Sequence, residues 1–258
     1  MNRIQKLFKE KKDNILSIFI TAGYPHLNDL PIILEALQEN GVDMVEIGMP
    51  FSDPTADGST IQYSNTIAIK NGMTIQHLFE QLEAIREKIH IPLILMGYIN
   101  PALQFGFEKF LQAANNVGID GIIIPDLPMY EYENIYLQTF KQNNIENIFL
   151  ITPQTSNERI QKIDNITNSF IYVVSTHSIT GTNIDLTAQQ ESYFDKFKTL
   201  NLKNPTIIGF GIKDKETFDI ARKNANGAII GSAFIKHIEH STNLKESIKQ
   251  FIGDILAD

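Results

Sequence analysis

The segment Glu46-Ile-Gly-Met-Pro-Phe-Ser-Asp-Pro-Thr-Ala-Asp57-Gly58 joins an apolar strand to a polar loop. The strand, Met44–Gly48, is apolar except for Glu46, and the loop adds two more carboxylates, Asp53 and Asp57. Strands seldom bury a Glu, because taking a charge out of water costs several kcal/mol unless something offsets it. A carboxylate at the end of a buried strand, facing a loop of Pro, Gly and Asp, is where acid–base chemistry is commonly built.

On both sides of this segment the same strand–helix unit repeats. Short apolar runs predict strands at Leu16–Thr21, Met44–Gly48, Leu93–Tyr98, Gly121–Pro125, Asn147–Ile151, Phe170–Ser175, Thr206–Gly209 and Gly227–Ile230. Amphipathic stretches predict helices at Leu30–Glu39, Ile75–Lys88, Phe107–Asn116, Glu131–Gln142, Glu158–Ile166, Gln189–Leu200, Lys215–Lys223 and Leu244–Leu256. Extra helices are expected after the second strand, over Thr60–Lys70, and after the eighth, from Gly231-Ser232-Ala. The strands are rich in Ile and Val and mostly apolar on both sides, as parallel strands covered by helices are. Eightfold βα alternation in 258 residues predicts an α/β fold, a (β/α)8 TIM barrel, as a single domain over residues 1–258. A doubly wound open sheet is the rival, but it favours fewer strands and a Gly-rich turn after the first one. Here the first strand runs into Thr21-Ala-Gly-Tyr-Pro25, which is not that turn.

The composition narrows the function classes. Hydrophobic content is 43% and charged content 20%, ordinary for a globular protein. A net charge of -8 argues against nucleic acid or an anionic membrane as partner, while leaving room for a local phosphate site. With no cysteine, disulfides, thiolate catalysis and cysteine-ligated metals are excluded together. The start of the chain has no apolar leader and reads as a short amphipathic helix with Ile4, Leu7 and Phe8 on one side. No stretch approaches the roughly 20 apolar residues of a membrane span, so a cytoplasmic enzyme is expected.

In a barrel the active site lies at the C-terminal strand ends and in the loops that follow. Side chains alternate along a strand, so Val45 and Ile47 share one face and Met44 and Glu46 the other. The face under the helices must be apolar, which points Glu46 into the barrel near its mouth. There, an apolar wall raises a carboxyl pKa and suits a group that both gives and takes a proton. Asp57 reads equally as a chemical group or as a turn or N-cap aspartate. In the second half, Ser175-Thr-His-Ser-Ile-Thr180-Gly181, Gly209-Phe-Gly211 and Gly231-Ser232-Ala end strands six, seven and eight. Glycines there let a phosphate approach backbone N–H groups, and loops seven and eight are the usual barrel phosphate site. No strand end offers a Schiff-base Lys, the six histidines are scattered, and no Gly-x-Ser-x-Gly elbow occurs. Phe19, Tyr98, Tyr172 and Phe210 line the presumed pocket, suggesting a substrate with a flat apolar end and a phosphorylated end.

These residues resemble the tryptophan synthase alpha chain family. The specific run is Val45 to Gln62 around Glu46 and Asp57. The stretches Phe19-Ile-Thr-Ala-Gly-Tyr-Pro25, Met96-Gly-Tyr-Ile-Asn-Pro101, Asp120-Gly-Ile-Ile-Ile-Pro-Asp-Leu-Pro128, Tyr172-Val-Val-Ser175, Ile179-Thr-Gly181, Gly209-Phe-Gly-Ile212 and Gly231-Ser-Ala233 follow in matching order. The resemblance implies retro-aldol cleavage of indole-3-glycerol phosphate to indole and glyceraldehyde 3-phosphate, a carbon–carbon lyase reaction of tryptophan biosynthesis. It implies Glu46 as the acid–base group and Asp57 as the partner of the indole N–H. Tyr172 would lie beside the substrate's side chain, Phe19 and Tyr98 would wall the indole, and Thr180 would meet Asp57. Gly181, Gly211, Gly231 and Ser232 would hold the phosphate. No cofactor or metal is implied in this chain; pyridoxal phosphate is expected in a partner beta chain, within an alpha2beta2 heterotetramer contacted through Pro50–Gly58 and Asn100–Pro101. The chain departs from the family pattern at Thr176, where Arg is usual, at Ser178, where Gly is usual, and at Ser59, where Pro is usual. The competing readings are another phosphate-binding barrel enzyme of the same pathway and a non-catalytic regulatory subunit.

Overall fold

Ile15–Thr21, seven consecutive buried residues, form β1 at the centre of the sheet. The computed structural model describes residues 1–174 and 199–257. Met44–Gly48 (β2) pairs in parallel with β1, aligning Phe19 with Glu46, and Leu93–Met96 (β3) and Gly121–Ile123 (β4) continue on that side. On the other side of β1, Ile171–Val174 (β7), Thr206–Gly209 (β8) and Gly227–Ile230 (β9) follow in the order β1-β9-β8-β7. All of these pairings are parallel, as strands joined by helical crossovers must be.

One predicted strand, Asn147–Ile151, is corrected to two pieces, Glu146–Asn147 (β5) and Leu150–Ile151 (β6). The first pairs with β4 and the second with β7. The intervening Ile148 N–H donates to the Ile122 carbonyl at 2.9 Å, and the Phe149 carbonyl accepts from Tyr172 N–H at 3.0 Å. The chain thus transfers its hydrogen bonds from one neighbour to the other within six residues, and the ring of the TIM barrel closes there. Two strands end earlier than expected, β3 at Met96 rather than Tyr98 and β4 at Ile123 rather than Pro125, while β7 is described as far as Val174. Each shortened stretch runs into glycine, proline or loop backbone that leaves the ladder.

Alternation along the strands builds two cores. Leu16, Ile18, Ile20, Val45, Ile47 and Leu95 face outward and pack under the helices. Ile15, Phe19, Met44, Ile94, Ile123 and Ile207 fill the barrel interior. Each such side chain, fully buried, contributes roughly 1.5–3 kcal/mol. The covering helices are Leu30–Glu39 (α2), Ile75–Ile85 (α4), Phe107–Asn116 (α6), Asn157–Ile166 (α9), Lys215–Asn224 (α10) and Leu244–Leu256 (α12). The predicted Glu131–Gln142 helix is observed as Met129–Glu131 (α7), a π turn over Tyr132–Tyr136 and Leu137–Gln142 (α8). Ser59–Lys70 (α3) follows β2 and Ser232–Ile238 (α11) follows β9. A further helix, Ile99–Phe105 (α5), was not expected; Pro101 is accommodated in its first turn, where no backbone donor is needed. Gln189–Leu200 lies, apart from its last two residues, outside the described residues.

The N-terminal helix, Arg3–Glu10 (α1), closes the barrel floor. Asn2 and Gln5 form a capping box at its start. Ile4, Leu7 and Phe8 enter the interior core from below, with Phe8 5.7 Å from the Phe170 ring. Asp120, just before β4, holds this floor together. Its carboxylate accepts from the Arg3 and Leu93 backbone N–H groups at 3.2 and 3.1 Å, from Arg3 Nη1 at 3.2 Å and from Arg86 Nη2 at 3.0 Å. The Asp120 carbonyl accepts from Asn2 Nδ2 at 3.0 Å.

Candidate active site

Glu46 sits in the middle of β2 with no exposed surface. Its lateral neighbours are Phe19 on β1 and Ile94 on β3. Among the described residues neither carboxylate oxygen has a hydrogen-bond partner. Burial therefore raises its pKa from 4.5 to about 8, and the Ser17 hydroxyl lowers it in part. At neutral pH this carboxyl is predominantly protonated, a buried acid ready to give its proton.

Tyr172 on β7 projects into the same interior and feels the charges of Glu46 and Asp57; burial first, then those two, push its phenol well above its ordinary value. Gly209 on β8 makes this possible, because a Cβ there would collide with the Tyr172 ring and hydroxyl. Gly48 does the same for Phe19: a Cβ would lie 2.5 Å from the ring tip. Small residues at the strand ends thus make room for the aromatic rings.

Past the end of β2, at Gly48, lies a small cleft with about 20 Å³ of internal free space. Phe19, Met49, Ile61, Met96 and Pro125 give it an apolar lining, and Asp57, Asn65 and Tyr98 supply its polar atoms. Asp57 is half-buried at its rim. Burial raises its pKa to about 6, and the Tyr98 hydroxyl lowers it in part. The capping role open at the level of sequence is not taken: Gly58 is the N-cap of α3, with no side-chain capping bond. The loop is instead pinned by Tyr98, whose hydroxyl accepts from Ala56 N–H at 2.9 Å and whose ring meets Phe51 at 5.2 Å. Gln62 Nε2 adds a bond of 2.9 Å to the Asp57 carbonyl. Asp53 is exposed and accepts from the Ser52 hydroxyl at 2.6 Å, within its own turn.

The structure brings Phe19, Asp57 and Tyr98 together at the cleft and sets Glu46 and Tyr172 beneath it. Gly211, with φ 77°, follows Phe210, also left-handed at φ 68°, whose ring meets Tyr172 at 6.2 Å. Gly231 abuts Phe19 Cβ and caps α11, whose first residue is Ser232. Neither glycine lines the cleft itself. Thr180 and Gly181 lie outside the described residues, as do Thr176 and Ser178. Sequence reasoning missed Asn65, on the inner face of α3, and Ser17. The signal for Ser17 was available: it is the one polar residue in the inward register of Ile15, Ser17 and Phe19. Among the described residues no group of three or more His, Asp or Glu side chains is placed to hold a metal, and no helix is long and apolar enough to cross a membrane.

A family model described as tryptophan synthase alpha chain matches residues 5–253. The tryptophan synthase alpha chain of Flavobacterium johnsoniae is 56% identical over 99% of this chain and 100% of its own length. That of Christiangramia forsetii is 56% identical over 100% and 99%. Among solved structures, tryptophan synthase subunit alpha from Legionella pneumophila matches with a TM-score of 0.89 at 30% identity, covering 99% of this chain and 97% of the other. A mutant alpha-subunit from the hyperthermophile Pyrococcus furiosus matches with a TM-score of 0.85 at 33% identity, covering 95% and 99%. With its carboxylate-floored barrel mouth and its near-complete match to these relatives, the chain belongs to the tryptophan synthase alpha chain family.

Proposed function

We propose that this chain, acting as one domain over residues 1–258, cleaves indole-3-glycerol phosphate to indole and glyceraldehyde 3-phosphate. The observation that carries this reading is Glu46: a fully buried carboxyl, unpaired among the described residues and held protonated, two residues before Gly48, which lines an apolar cleft together with Asp57. Breaking the bond between indole C3 and the glycerol chain needs an electron sink. Protonation of C3 creates one in the ring itself, as an iminium, so no Schiff base or metal is required. Glu46 gives that proton; as a carboxylate it then takes the proton of the adjacent glycerol hydroxyl, whose O–H electrons become the new carbonyl while the C–C pair returns to the ring. Asp57 accepts a hydrogen bond from the indole N–H and stabilises the positive charge developing there. Phe19 and Tyr98 wall the ring, Tyr172 flanks the side chain, and backbone N–H groups at Gly181, Gly211, Gly231 and Ser232 hold the phosphate, with Thr180 as the partner of Asp57 that the family resemblance implies.

The two carboxyls must be in opposite states, Asp57 charged and Glu46 neutral. With pKa values raised to about 6 and about 8, turnover rises with pH through the first and falls through the second. Asp57→Asn keeps the shape and loses the charge. It is expected to lower kcat/KM about 100-fold and to remove the rise near pH 6, read from a pH profile of indole formation.

The partner is a tryptophan synthase beta chain that carries pyridoxal phosphate, in an alpha2beta2 heterotetramer in the cytoplasm. The exposed loop residues Ser52, Asp53 and Thr55, with Asn100 and the half-exposed Leu103, offer the contact surface. Purified chain with indole-3-glycerol phosphate, assayed for indole with and without beta chain, tests the reading. Indole is expected in both cases and more with the partner; none in either case overturns it.

A further inference from the structure

Around Glu46 the barrel interior is almost wholly apolar. From β1 it is faced by Phe19 and, one step deeper, Ser17; from β3 by Ile94; from β7 by Tyr172. Ser17 carries a hydroxyl that bears on Glu46, and it is odd in its own right. It has no exposed surface, and Oγ has no hydrogen-bond partner. Three buried polar atoms therefore stand unpaired on one face of two adjacent strands: Ser17 Oγ and both Glu46 oxygens. Leaving a buried hydroxyl unpaired costs about 1–3 kcal/mol, so its presence calls for a state in which it is paired.

We propose that Ser17 is a positioning residue for Glu46, its hydroxyl rotating to donate to the carboxylate during the interval when Glu46 has given its proton away. A protonated carboxyl does not require that donor. A buried carboxylate does, because it can only accept, and among the described residues no cation bears on it. Among the described residues the other titratable groups that bear on the site are the Tyr172 phenol, which stays neutral, and Asp57 at the cleft. Ser17 thus lets the charge on Glu46 exist long enough for the glycerol hydroxyl to return a proton. This rests on Glu46 being the acid–base group.

Infrared difference titration of the full chain, with Glu46→Gln as the blank, reads the Glu46 carboxyl without turnover. Ser17→Ala is expected to move that titration up by about one pH unit, and the alkaline limb of kcat for indole formation with it. Ser17→Thr keeps the hydroxyl and is expected to titrate as the wild type does. If Ser17 only fills space, Ser17→Ala melts at a lower temperature with the titration unmoved, and that result overturns the proposal. Should Ser17→Ala fail to fold, Ser17→Cys retains the volume with a weaker donor; an unmoved titration there overturns it equally. Indole formation by Glu46→Gln would sink the acid–base reading instead, leaving the infrared comparison to decide on Ser17 separately.

Discussion

Glu46→Gln is expected to lower kcat for indole formation by about 1,000-fold or more while the barrel and its phosphate binding persist. The amide fills the same volume on β2 between Phe19 and Ile94 but has no proton to give C3 and no basic oxygen to take one back. Residual turnover within tenfold of wild type would remove Glu46 from the mechanism. The same substitution has an effect on stability with a defined sign. The folded-state pKa of about 8 lies above the ordinary 4.5, so between these values the folded chain binds more protons than the unfolded one. Wild-type stability is therefore full below about pH 4.5 and is lost progressively as pH rises through about 8, by as much as a few kcal/mol for this group. Glu46→Gln is expected to flatten that decline, and denaturant unfolding of both proteins at pH 6 and pH 9 reads it. A catalytic carboxyl held neutral by burial makes the active protein less stable than its inactive variant in alkaline solution.

Asp120→Ala is expected to destabilise the chain by about 3 kcal/mol, which at this size lowers the melting temperature by roughly 10 °C. Asp120 and Arg86 are both at least nine-tenths buried, and their ion pair is closed at 3.0 Å. Breaking such a pair leaves a cation in the interior, which costs far more than the loss of an exposed pair. Arg86 retains bonds to the carbonyls of Gly118, Ile89 and Ile91, which limits the loss. The Arg3 and Leu93 backbone donors lose their acceptor at the same time, so α1 should detach first. Thermal unfolding checks the total, and amide exchange over residues 3–10 checks the order. A change below 1 kcal/mol would mean that this network does not hold the floor.

The alternation of apolar runs with amphipathic stretches made the barrel legible, and strand phase alone turned Glu46 inward. Both follow from periodicities that each residue carries locally. The division of β5 from β6 was not legible, because Asn147–Ile151 is uniformly strand-like and only the identity of its neighbours separates the halves. The same limit hid α5, where Pro101 reads as a breaker until its place in the first turn is known. In the site, Glu46 and Asp57 were legible as charges in unusual surroundings. The tether from Tyr98 to Ala56 was not, since it joins residues 42 apart in sequence. Asn65 escaped notice because an amide in an amphipathic helix has no local mark of facing a cleft.

The helix under the barrel has one more consequence. With Ile4 and Phe8 seated against its lower layer, the barrel is a blind well rather than a tube. A small oily molecule set free beside Glu46 has an upward route, past Asp57 and Tyr98, to the rim formed by residues 50–58. A floor built from the first ten residues of the chain thus leaves access to Glu46 to the mouth, beside the rim at residues 50–58.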